Sequence, residues 1–68
     1  MGKARVRIVE GYSYDNLEYQ INSAIETLEN TPGTDIVVNA VDIIQHTRIN
    51  GVVLLTGVIM YTIWEQED

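Results

Sequence analysis

The sequence predicts an α+β fold: a single β-α-β-β domain, residues 1–68, built on one long hairpin. Three observations predict it. Asn50-Gly51 stands between two β-rich runs, which is the strongest short-range hairpin signal. Leu17, Ile21, Ala24, Ile25 and Leu28 recur at helical period. Lys3 to Glu10 alternates in character, as a strand does.

The first strand is expected over Lys3 to Glu10. Ala4, Val6 and Ile8 point one way and Lys3, Arg5, Arg7 and Val9 the other, so three of the chain's four basic residues share one side. That stripe reads either as an edge strand protected by charge or as an anion-binding rim repeated in every subunit of an oligomer. The helix follows from Ser13 or Asp15, with Asp15 and Glu18 at capping-box spacing, and it runs to Asn30. Tyr19 lies off its apolar stripe. Thr31-Pro32-Gly33 ends it, because Pro cannot continue a helix and Gly supplies the bend.

The hairpin spans Asp35 to Glu65. A type I′ turn needs φ > 0 at both central residues, which Asn tolerates and Gly accepts freely. A two-residue loop pairs Ile49 with Val52, and continuing the ladder pairs Thr47 with Leu54, Gln45 with Thr56, Ile43 with Val58, Val41 with Met60, Asn39 with Thr62 and Val37 with Trp64. This register places Ile36, Val38, Ala40, Asp42, Ile44, His46, Val53, Leu55, Gly57, Ile59, Tyr61 and Ile63 on one face, the expected core. The other face is mixed but keeps Val, Ile, Leu, Met and Trp, so it too is expected to be covered. A β-bulge would shift these assignments. The first strand is expected antiparallel to the third, in a three-stranded antiparallel or mixed sheet of order 1-3-2, with the helix on the Ile36/Val38 face.

Each hairpin arm runs roughly 45 Å, whereas the helix is about 24 Å long. One helix cannot cover even one face. A homo-oligomer follows, with Val37, Val41, Ile43, Leu54, Val58, Met60 and Trp64 as its expected interface. Length argues likewise: a lone core of 68 residues is marginal, and the chain has no Cys to staple it. The net charge of −6 disfavours double-stranded nucleic acid and anionic membrane as partners. The N-terminus lacks an apolar signal region, and Val52 to Trp64 is too short to span a bilayer. These features fit a cytoplasmic protein.

The residues offer no catalytic constellation. His46 and Asp42 would lie about 13 Å apart along a strand, and no Ser or Thr has an adjacent base. No enzyme activity, metal or cofactor is expected. Gly57, set opposite Ile44, marks a close approach or a bulge. Trp64, Met60 and Thr62 line the second face. Trp64 reads as interface packing, or as an aromatic that stacks a planar ligand between subunits, with Thr56, Thr62, Asn39 and Gln45 supplying hydrogen bonds.

Two resemblances add to this. Val6-Arg7-Ile8-Val9-Glu10, Ser23-Ala24-Ile25-Glu26-Thr27-Leu28 and the hairpin reaching Asn50-Gly51 resemble dodecins, β-α-β-β proteins that form hollow dodecamers and bind flavins without catalysis. Aligned through Gly51, Val38 and Gly57 stand where that family places its flavin-stacking Trp and flavin-contacting Gln. Arg5-Val6-Arg7-Ile8, the acidic helix and Gly57-Val58-Ile59-Met60-Tyr61-Thr62 resemble a family of short sporulation proteins of Gram-positive bacteria and their phages. That likeness implies no biochemical activity. Phages also use tiny oligomeric proteins to sequester nucleotide signals, and a small acidic oligomer suits that role by analogy.

The reading is a non-enzymatic homo-oligomer that binds a small, nucleotide-like molecule between subunits. Lys3, Arg5 and Arg7 would meet phosphate, and Trp64, Thr62 and Asn39 the rest of the ligand. The alternatives are an interaction module that binds another protein without a small ligand, and dodecin-like flavin binding.

Overall fold

The computed structural model describes residues 2–45 and 50–65. The expectations for His46, Thr47, Ile49 and the side chain of Gln45 lie outside the described residues. The elements run β1 (Lys3–Gly11), α1 (Tyr14–Glu29), β2 (Thr34–Gln45) and β3 (Leu55–Glu65). They form a three-stranded antiparallel sheet of order β1-β3-β2, with the helix on one face. Fold and strand order are those the sequence predicts.

The helix begins one residue after Ser13, not at Asp15. Ser13 is in extended backbone, and its hydroxyl accepts a hydrogen bond from the Asn16 N–H at 3.1 Å. Asn16 reaches back, its Oδ1 accepting from the Tyr12 N–H at 3.1 Å. These bonds satisfy donors that the first turn leaves without helical partners. Asp15 stands inside the first turn instead, where its charge complements the helix dipole. At the far end Gly33 takes φ +76°, and the chain turns into β2.

Leu17, Ile21, Ala24 and Leu28 are buried, together with Leu55 and Ile59 of β3. Val9, Ile25, Val38, Val53 and Tyr61 pack around them. Gly57 faces the helix: a Cβ there would lie 2.9 Å from Ile21 Cδ1. It is the close approach the sequence suggested, but it pairs with Ile43 and Val9 rather than Ile44.

The turn is as read, with Asn50 at φ +53° and Gly51 at φ +78°. The register is not. Val37 pairs with Thr62, Val41 with Ile59, Ile43 with Gly57 and Gln45 with Leu55. One displacement is a bulge between Val38 and Ala40. The other lies nearer the turn, where Val53 and Leu54 are not in the strand and β3 begins only at Leu55. A one-residue slip reverses every later side chain. Ala40, Asp42 and Ile44, expected in the core, therefore lie on the face away from the helix. Val41 and Ile43 move to the helix side.

The radius of gyration is 14.0 Å, against about 11 Å for a compact chain of this length. The hairpin outruns the helix, as the strand and helix lengths require.

Candidate functional site

Among the described residues, no element packs on the sheet face away from the helix, where Thr56 alone is buried, and the parity of β1 makes its part of that face apolar. Val9 must face the helix, since its Cγ2 would lie 3.2 Å from a Cβ on Gly57, beside Ile21. Strand alternation then turns Ala4, Val6 and Ile8 outward. Val6 is 59% exposed and Ile8 63%. Across the ladder, Ile8 is level with Val58, Val6 with Met60 and Ala4 with Thr62. Val37, Ala40 and Ile44 of β2 complete the surface, with Asp35 and Asp42 interspersed on the same strand. Such a row of contiguous apolar side chains is rare on a soluble monomer.

A trough of about 560 Å³ runs across the middle of this face. Met60 and Tyr61 form its floor, Ala4, Arg5 and Val6 one wall, and Asn39 and Ala40 the other. The small side chains of Ala4 and Ala40 make the hollow. Asn39 occupies the bulge, and its Nδ2 donates to Thr62 Oγ1 at 2.8 Å, which fixes the amide at the rim. Beyond Thr62, the Trp64 ring lies against Gly2, where a Cβ would come within 2.6 Å of Cε2. Trp64 remains 46% exposed.

Trp64, Thr62 and Asn39 are thus brought together on one face. Lys3, Arg5 and Arg7 lie on the other, beside the helix and fully exposed, because they alternate with the outward set. Within one chain the basic stripe and the aromatic do not converge. Of the expected interface residues, Val37, Val58, Met60 and Trp64 belong to the bare face. Val41 and Ile43 are exposed on the helix side of β2. Half-buried Leu54 lines a small cleft with Glu10, Tyr12, Asn16 and Gln20.

Ala4, Val6 and Ala40 were missed as site residues. The first two were legible as an apolar set opposed to the charges, but an apolar set is usually turned inward. Among the described residues, no group of three or more His, Asp or Glu stands close enough for a metal ion, and no helix is long and apolar enough to cross a membrane.

Fold and face define a small β-α-β-β protein with one sheet surface that its own helix leaves uncovered. Comparison with known protein families, curated proteins and solved structures finds no match.

Proposed function

We propose that the chain is a non-catalytic, self-assembling binding protein that holds a small planar molecule in the trough of its bare sheet face, closed over by a second copy. The trough carries this reading. Its volume of about 560 Å³ falls in the usual range for small-ligand sites. Its lining is mostly apolar, with the Asn39 amide held in place by Thr62 and with Arg5 and Tyr61 also contributing. A flat aromatic or heterocyclic body suits such a slot, with Asn39 reading a polar edge. A nucleotide-like ligand would draw most of its phosphate contacts from Lys3, Arg5 and Arg7 of a neighbouring copy, since of the chain's own stripe only Arg5 lines the trough.

Native mass spectrometry of gently purified protein tests this reading. An assembly heavier than its chains, releasing a small ultraviolet- or visible-absorbing molecule, is the expected result. An Ala40→Trp variant fills the trough without touching the helix-side core and should assemble empty. A ligand-free wild-type assembly, or undiminished ligand in Ala40→Trp, overturns the proposal. The first outcome favours the second reading, a protein-interaction module, which the separation of the basic stripe from Trp64 also supports.

A further inference from the structure

The sheet has two lateral edges, and in one chain each carries strand pairing on one side only: β1 and β2 both pair with β3. The two edges differ in charge at the level of the helix layer. On the β1 side, Lys3, Arg5 and Arg7 project from the helix face of the sheet, all exposed. The helix carries the opposite sign, and its contacts fix which way that charge points. Asn16 and Gln20 line a cleft with Glu10 and Tyr12, so this flank of α1 faces β1. At the α-helical angle per residue, Asp15, Glu18, Asn22, Glu26 and Glu29 fall within an arc of roughly 80°. That arc lies on the other flank, toward β2 and solvent, and all of its residues are exposed.

We infer that the β1 edge of one copy docks against the β2 edge of a second copy, seating Lys3, Arg5 and Arg7 beside the acidic flank of the second copy's helix. The partner is another copy of this chain, and the contact is distinct from the face-to-face contact that closes the trough. Geometry matches along the whole contact. Lys3 to Arg7 spans about 13 Å, and Glu18 to Glu29 about 16 Å. The directions agree as well. β1 and β2 are both antiparallel to β3, hence parallel to each other, and α1 runs back from the Gly11 end to the Thr34 end. With copies side by side, Lys3 meets the Glu29 end of the neighbouring helix and Arg7 the Glu18 end.

The β2 edge is suited to this neighbour. Its regular stretch below the bulge lies level with Lys3 and Arg5, through Ile36 and Val38, and the bulge at Asn39 keeps a long flat edge from forming. Level with Arg7 across the ladder lies Val41, an exposed apolar residue that its own helix leaves bare. The aliphatic stem of an arginine covers such a surface while its charged head stays wet. The contact joins two different surfaces, so each copy uses both, and the pattern repeats until a ring closes or a filament grows.

Charge reversal on each side provides the test. Lys3→Glu/Arg5→Glu/Arg7→Glu makes both flanks acidic, and Glu18→Lys/Glu26→Lys/Glu29→Lys makes both basic. By sedimentation velocity at low salt, each folded variant alone should lose the edge-linked assembly, and an equimolar mixture should restore it in alternating order. Wild type should lose the same species at high salt, where exposed charges are screened. Either variant keeping the wild-type mass, or a mixture of two folded variants that stays dissociated, overturns the edge contact. Val6→Asp/Ile8→Asp separates the two contacts, because it charges the bare face and leaves both edges intact. If it alone reduces the mass, the face-to-face contact stands and the edge contact falls.

Discussion

Thr56 shows what the chain tolerates at a single position. It lies on the sheet face away from the helix, between Glu10 and Ile44, and is only 6% exposed. Its Oγ1 is buried without a hydrogen-bond partner among the described residues. A hydroxyl left so costs about 1–3 kcal/mol. Thr56→Val keeps the shape and removes the penalty, so stability should rise by about 1 kcal/mol, or roughly 4–8 °C in Tm for a domain of this size. Thermal unfolding of both proteins at one concentration measures it, and a lower Tm in the variant contradicts the argument. From sequence, Thr56 is a candidate ligand contact, and nothing there shows its hydroxyl buried, since a strand Thr is equally at home with its hydroxyl in water. The helix cap was only half legible for a related reason. Ser13 and Asp15 are both good caps, and Ser13 is joined by a second local bond, from the Tyr12 N–H to Asn16, that Asp15 would lack.

At the scale of elements, α1 sits on β3 because Gly57 lets it. A Cβ at that position would stand 2.9 Å from Ile21 Cδ1 and 3.2 Å from Val9 Cγ2, both packed within the core. Gly57→Ala should therefore lift the helix or force Ile21 off its rotamer, at a cost of about 1–3 kcal/mol. Urea denaturation should show a lower midpoint with an unchanged slope, and an unchanged midpoint would mean that the core absorbs a methyl group freely. The helix, the turn and the strand order were readable because each rests on local chemistry: apolar period, Asn-Gly backbone freedom, crossover handedness. The register of β2 was not. A bulge adds one residue without leaving a composition signal, and both faces of this hairpin are apolar enough for either parity to look sound. Asn39, read as a ladder partner of Thr62, instead occupies the bulge and reaches Thr62 through its side chain. The rim of the trough is thus a product of the irregularity the sequence concealed.

For the whole molecule, the decisive fact is which side of β1 faces the helix. An isolated domain would gain most by burying Ala4, Val6 and Ile8 and leaving the basic residues outside. This chain does the reverse, putting Arg5 and Arg7 on the helix side and the apolar set in water. That arrangement is costly for a monomer and sensible for an assembly, because association removes the apolar set from water at about 25 cal/mol per Å². Val6→Asp/Ile8→Asp tests the cost directly. Both side chains are mostly exposed in the single chain, so the substitutions leave the helix-side core intact. They place like charges against each other wherever two bare faces meet. Circular dichroism should show the native β-α-β-β content, while the species joined through the bare face disappears from sedimentation profiles. The same variant should be less stable to heat than wild type at high protein concentration and should converge with it on dilution, because binding to a second copy stabilises only in proportion to how much of that copy is present. A variant that assembles like wild type would show that the bare face is not where copies meet. The outward set on β1 would then need another occupant, and the ligand trough another lid.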